Sequence, residues 1–162
     1  MKLNETIPGA KNFRWYEAVR SETAVRHGIA NIPNSDQVAS LEYSAQQILQ
    51  PVRDQFGKIR VTSGFCCEDL APFIPRRSSS NHCRGEAFDI EPVDRNVELF
   101  DIGIWIYENL KFRELIFEFL PFGWIHAAAR KGANVQKVKI KDRNHDYDVV
   151  SIDYVKRYFN IG

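Results

Sequence analysis

The sequence predicts an α+β fold: N-terminal helices packed on a small, mostly antiparallel sheet. Three observations predict it. Apolar residues recur at helical spacing up to about Gly57, β-branched alternation takes over from Ile59, and one long helical pattern interrupts the strands between Asn96 and Asn109.

Element by element, Phe13 to Val19 reads as a helix opening after Asn12. Ser21 caps a short helical turn, Glu22 to His27, that Gly28 ends. Pro33 and Asn34 mark a loop. The clearest helix follows: Asp36 caps it, and Val38, Leu41, Ala45, Ile48 and Leu49 recur before Val52 and Phe56. Pro51 predicts a kink or a fresh start, because it has no N–H to continue the ladder, and Gly57 closes the segment. Ile59-Arg60-Val61-Thr62 alternates as a strand until Ser63-Gly64 breaks it. Residues 68–81 read as irregular, with Pro72, Pro75 and the run Ser78-Ser79-Ser80. Ala87 to Glu91, Leu115 to Phe119, Trp124 to Ala128 and Val135 to Ile140 are further strands, and Ser151 caps a last helix through Tyr158. No repeat or linker divides the chain, so a single domain over 1–162 is expected.

Composition narrows the function classes. The 162 residues suffice for a proper core. Lys plus Arg number 22 against 21 acidic residues, so no strong field favours nucleic acid or an anionic membrane. No apolar run approaches the roughly 20 residues a bilayer needs. Met1 to Gly9 has no apolar core of a secretory signal, which implies synthesis in the cytoplasm. Cys66, Cys67 and Cys83 are odd in number and lack C-x-x-C spacing, so they read as thiols rather than a disulfide framework or a rival zinc site.

The chemistry concentrates in Ser80-Asn81-His82-Cys83-Arg84-Gly85-Glu86-Ala87-Phe88-Asp89-Ile90. His82 and Asp89 offer an imidazole and a carboxylate, suited to a borderline ion such as zinc. Gly123-Trp124-Ile125-His126 offers a second histidine. Strand alternation places Asp89 with Ala87 and Glu91 on one face, and His126 with Trp124 and Ala128 on one face. If these strands are neighbours, Asp89 and His126 project together and His82 reaches over from the preceding loop. Two histidines and one carboxylate leave a tetrahedral ion one position for water, the arrangement of a metal-dependent hydrolase.

Hydrolysis also needs a general base. Glu118 is favoured, as a carboxylate within the apolar strand Leu115-Ile116-Phe117-Glu118-Phe119, although it shares a face with Ile116. Glu86, Glu91 and Glu114 are weaker candidates. Taken singly, each of these residues has an ordinary structural explanation, and His27 and His145 keep theirs. Spacing and strand context favour the metal reading for the set.

Three stretches carry a family resemblance: Ile59-Arg60-Val61-Thr62-Ser63-Gly64-Phe65, Ser80 to Ile90, and Trp124-Ile125-His126. They resemble the M15 zinc peptidases, the D-alanyl-D-alanine carboxypeptidases and phage endolysins that cut peptidoglycan stem peptides. The phage and prophage branch looks closest, through Phe13-Arg14-Trp15-Tyr16-Glu17, Ser21 to Ala24, Leu49 to Arg53 and Glu114 to Phe119. The resemblance runs from about Phe13 to Ala128. It implies a D-Ala-D-Ala carboxypeptidase/hedgehog-like fold and zinc (Zn2+) held by His82, Asp89 and His126. It also implies an acidic base, and peptidoglycan peptides as partners rather than nucleic acid or membrane.

The sequence departs from the family's pattern at several positions. Many members carry the base three residues before the last histidine, where Gly123 stands, so Glu118 takes the role. The family's Ser-Gly-Tyr-Arg arginine, which engages the substrate carboxylate, is replaced by Cys66, and the next loop has Ala71, Pro75 and Arg76 for an asparagine and two glycines. Asn81 stands for a glutamine. Arg76, Arg77 or Arg84 is expected to restore a positive charge, with Arg76 and Arg84 as the substrate-binding candidates. The expected function is a peptidase of the cell wall, released by lysis or carried in a phage particle. The alternative is a non-catalytic zinc-containing module for wall binding or virion assembly, and the remote reading is a small binding domain with incidental histidines.

Overall fold

The computed structural model describes residues 1–74 and 80–159. A hairpin of β1 (Thr6–Ile7) and β2 (Ala10–Arg14) opens the chain and leads into α1 (Trp15–Val19) and α2 (Glu22–His27). Phe13 therefore lies in a strand, not in the helix its neighbours suggested. It is buried in the main core. The helix begins only after Arg14, whose backbone N–H donates to Glu17 Oε2 at 2.8 Å. Ser21 caps α2 as expected, its Oγ accepting from the Ala24 N–H at 3.2 Å.

Next come α3 (Ser35–Ser44), a π-helical turn (Ala45–Leu49) and α4 (Gln50–Phe56). The cap of α3 is Asn34 rather than Asp36. Asn34 Oδ1 accepts from Gln37 N–H at 3.0 Å while Gln37 Oε1 accepts from Asn34 N–H at 2.8 Å, a reciprocal box that satisfies two helix-end donors. The break expected at Pro51 takes the form of the π turn just before it. Pro51 has nothing to donate to the Gln47 carbonyl, so the i→i−4 ladder lapses there.

The remaining elements are β3 (Ile59–Ser63), a 3₁₀ turn (Glu68–Phe73), β4 (Ala87–Pro92), α5 (Leu99–Asn109), β5 (Glu114–Glu118), β6 (Trp124–Ala128), β7 (Lys137–Lys141), β8 (Asp146–Val149) and α6 (Ile152–Phe159). The α+β class holds, but the expected small, mostly antiparallel sheet is corrected. Among the described residues the main sheet is six-stranded and mixed, in the order β3-β4-β6-β5-β7-β8, with β5 and β7 parallel. The cause is the connection over 129–136. It carries the chain from β6 past the start of β5 to its far side, so β7 runs in the direction of β5. β8 was not anticipated. Asp146-Tyr147-Asp148-Val149 alternates polar and apolar residues over only four positions, and all four are exposed.

The sheet has two unlike faces. Val61, Phe88, Ile90, Leu115, Phe117, Ile125, Val138 and Ile140 join Leu41, Ile48, Leu49, Val52, Ile102 and Ile106 in the main core. The alternate positions, Asp89, His126, Ile116 and Lys139, lie in register across β4, β6, β5 and β7 on the other face. The helical layer thus fixes the strands from one side and leaves Asp89, His126, Ile116 and Lys139 on the opposite face. No helix among the described residues is long and apolar enough to cross a membrane.

Candidate metal centre

Each metal-ligand candidate owes its place to local sequence. Gly85, at φ 73°, ends the turn that carries His82, and a Cβ there would stand 2.6 Å from the Gln37 carbonyl oxygen. Only glycine lets that turn lie against α3 and enter β4. Asp89 and His126 are direct cross-strand partners, as the alternation of their two strands suggested.

The three side chains meet in a buried triangle. His82 Nε2 lies 3.1 Å from Asp89 Oδ1 and 3.0 Å from His126 Nδ1, and His126 Nδ1 lies 2.9 Å from Asp89 Oδ1. All three residues are at most 5 % exposed. Burial alone would raise the Asp89 carboxyl, but the two imidazoles outweigh it and hold the group well below the usual carboxylate range.

Hydrogen bonding fixes which nitrogens face inward. His82 Nδ1 donates to the Gly64 carbonyl at 2.7 Å, which leaves Nε2 with its lone pair for the triangle. Gly64 makes that contact possible, since a Cβ on it would fall 2.2 Å from the Ala18 carbonyl oxygen. His126 Nε2 is buried without a hydrogen-bond partner among the described residues, and Glu114 Oε1 stands 3.7 Å from it. A single proton on His126 Nδ1 can serve only part of the triangle. A cation serves all three atoms and leaves the His126 Nε2 proton facing Glu114. A tetrahedral zinc with ligands at about 2.0–2.1 Å would set them about 3.3 Å apart, close to the spacings here. The donor set, two nitrogens and one carboxylate oxygen, fits zinc.

The site opens on a wide cleft whose wall includes His82, His126, Trp124, Ile116, Glu114 and Glu118. Glu118 shares the face of Ile116, which is the face of His126 and Asp89. The pairing of Ile116 with His126 and of Glu118 with Trp124 sets Glu118 two residues along β5 from the ligand row. Its side chain is buried. Glu114 lies two residues the other way and is closely held. Lys139 Nζ reaches its Oε2 at 2.6 Å and Asn81 Nδ2 donates to its Oε1 at 2.8 Å. Burial acts to raise the Glu114 carboxyl, but Lys139, His126 and Lys137 together lower it.

The other candidates occupy structural places. Glu86 receives Arg84 and Arg130, and Glu91 pairs with Arg60 at 2.8 Å. Arg84 lines the cleft, with Nε donating to Glu86 at 3.0 Å and its guanidinium also meeting Asn81. Arg76 and Arg77 lie outside the described residues. Cys66 is buried against Cys83 and brings no charge to the cleft. His27 stacks on Phe73, and His145 joins Asp142 and Tyr154; neither belongs to the triangle.

Sequence reasoning missed Lys139, Asn81, Trp124 and the Gly64 carbonyl. The pattern Lys137-Val138-Lys139-Ile140-Lys141 did carry a signal, because its alternation puts three cations on the face opposite the core. Trp124 is notable for an indole N–H that is buried and without an acceptor among the described residues.

Comparison with known proteins bears on this geometry. The family model described as Peptidase M15 matches residues 11–117, more than half of the chain. The matched span includes His82 and Asp89 and ends before Glu118 and His126. No curated protein matches the chain.

Proposed function

The chain belongs to the Peptidase M15 family, and on that premise we propose that it is a zinc-dependent peptidase hydrolysing peptide bonds in peptidoglycan stem peptides or cross-links. The observation that carries the reading is the buried His82–Asp89–His126 triangle opening on a cleft whose wall holds a second buried acid, Glu118. His82, Asp89 and His126 would hold zinc, which when bound supplies a Lewis acid and a water of lowered pKa.

The chain's own residues do the rest. Gly64 keeps the His82 Nδ1 proton and so presents Nε2 inward. Glu114 Oε1 stands 3.7 Å from His126 Nε2, where a carboxylate behind a metal-bound histidine would orient its ring once the contact tightens. With Lys139 and Asn81 stabilising its charged form, Glu114 is a poor proton acceptor. Glu118 is therefore the general base, taking a proton from the attacking water and passing it to the leaving amine. Trp124 donates its indole N–H to a backbone carbonyl of the substrate, the partner it lacks among the described residues. Arg84, together with Arg76, answers the substrate carboxylate in place of the arginine that Cys66 replaces.

In this reading residues 1–162 form one domain of the D-Ala-D-Ala carboxypeptidase/hedgehog type. The chain is phage- or prophage-encoded and acts on the wall after lysis, with neither nucleic acid nor membrane as a partner. The buried, uncharged Cys66 is the observation that favours a second reading, a non-catalytic zinc-containing module for wall binding or virion assembly. One experiment separates them: measure bound zinc, then follow amine release from purified peptidoglycan by the native chain and by Glu118→Ala. Stoichiometric zinc with release that the substitution removes supports the peptidase. Stoichiometric zinc with no release from any peptidoglycan supports the module, and activity without zinc overturns the mechanism.

A further inference from the structure

We propose that Cys66 and Cys83 form a disulfide modification site that staples the strap behind His82. The two residues are 17 apart in sequence, yet their Sγ atoms lie 3.2 Å apart and both are buried. A disulfide measures about 2.05 Å between sulfurs, so closure asks for a shift of only about 1 Å. The backbones already run together, because the Cys66 N–H points to the His82 carbonyl at 3.5 Å.

The surroundings explain what a staple would do there. Neither cysteine belongs to the main core. Cys66 and Cys83 form a satellite cluster with Ala24 and Leu70, bordered by Ile29, Cys67 and Ile74. Four buried residues offer little apolar area, the circumstance in which small folds use a covalent tie. The tie would fall on two supports of one side chain. Cys66 follows by two residues the Gly64 carbonyl that orients His82, and Cys83 follows His82 directly.

The chemistry balances with a low-molecular-weight disulfide as oxidant. The sulfur of Cys66, a residue of the cleft lining, attacks one sulfur of the reagent and releases one reagent thiol. The Cys83 sulfur then displaces the second, so one S–S bond breaks, one forms, and two reagent thiols carry away the two electrons and two protons. Cys67 borders the same cluster, but the close sulfur pair is Cys66 with Cys83, so Cys67 stays a thiol.

The test uses the full chain, reduced and then equilibrated in glutathione buffers from fully reduced to fully oxidised. Alkylation and peptide mapping should count three thiols at the reducing end and one, Cys67, at the oxidising end, with residues 66 and 83 cross-linked. Thermal melts of the same samples should rise by about 5–10 °C on oxidation. Three thiols at every ratio, a bond involving Cys67, or glutathione adducts at Cys66 without the internal bond would overturn the site. An unchanged or lowered melting temperature in the cross-linked form would overturn its role as a staple. Cys66→Ala and Cys83→Ala each should abolish the loss of two thiols. None of these readouts depends on zinc or on turnover, so the result stands apart from the peptidase reading.

Discussion

A Cβ added to Gly123 would stand 1.8 Å from the carbonyl oxygen of Glu118. The turn between β5 and β6 doubles back so closely that the position three residues before His126 has no room for a side chain. Under the proposed function, an acid beside His126 would therefore sit on the other arm of the hairpin, where Glu118 pairs with Trp124. Gly123→Ala is expected to destabilise the fold by about 3 kcal/mol, because the clash is with backbone and cannot be relieved by a rotamer change. Urea unfolding measures this, and wild-type stability in the variant would remove the steric account.

Glu118→Gln keeps the shape of the buried side chain and removes its ability to accept a proton. Peptidoglycan turnover should fall about 10²- to 10⁴-fold, with bound zinc and the unfolding midpoint nearly unchanged. A variant that retains more than a tenth of wild-type kcat would move the role of base elsewhere, with Glu114 next in line. The paired substitution Glu114→Gln is expected to act differently. It should weaken zinc about 10- to 100-fold while leaving the kcat of the zinc-loaded enzyme largely intact.

The triangle makes a prediction about metal removal. His82→Ala, Asp89→Ala and His126→Ala each break it, and each should purify with far less than one zinc per chain. Chelation of the native protein should lower its melting temperature, and the loss should be restored in proportion to added zinc, as ligand binding to the folded state alone requires. Metal analysis and calorimetry read both effects. Full zinc occupancy in Asp89→Ala would show that the ion sits elsewhere.

Much of this centre was legible because strand alternation is a rigid rule. Once Ala87 to Glu91 and Trp124 to Ala128 read as strands, Asp89 and His126 had to face with their alternate neighbours, and direct pairing of the two strands brings them together. What failed to show in the sequence depends on tertiary context. Phe13 has helical neighbours but packs as a strand residue, because the hairpin with Thr6–Ile7 claims it. Asp36 and Asn34 are both capping residues, and the reciprocal bond with Gln37 decides between them. β8 alternates polar and apolar residues over only four positions, too short a signal to read as a strand, and the parallel pairing of β7 with β5 arises from a loop path that no local signal encodes. The contacts of Lys139 and Asn81 with Glu114 follow from that path and from the His82 turn, so they too appear only in three dimensions.

Trp124 offers a test of substrate binding separate from chemistry. Its indole N–H is buried in the cleft wall with no acceptor among the described residues, and a buried donor left unmade costs about 1–3 kcal/mol. A substrate carbonyl that meets it recovers part of that cost on binding. Trp124→Phe keeps most of the packing and removes the donor. KM should rise about tenfold with kcat changed less than threefold. Equal losses in both parameters would instead place the indole in the transition state, and no change in KM would leave it without a substrate role.

The C-terminal segment supplies a pH-dependent anchor remote from the metal centre. Asp142 Oδ1 accepts from His145 Nδ1 at 2.9 Å and from the backbone N–H groups of Asn144 at 2.8 Å and His145 at 2.9 Å. Tyr158 of α6 donates to its Oδ2 at 2.8 Å. Burial tends to raise this carboxyl, but the His145, Tyr158 and backbone donors outweigh it and lower it below the ordinary aspartate value. A carboxyl lowered in the folded state contributes stability that is fully present above its unfolded value of about 3.9 and is lost as pH falls through the lower folded value. Asp142→Asn removes that dependence. The stability difference between wild type and variant, from urea midpoints, should therefore be largest at pH 6–7 and shrink steadily below about pH 4. A difference that stays constant down to pH 2 would mean that the charge of Asp142 does not hold α6 in place.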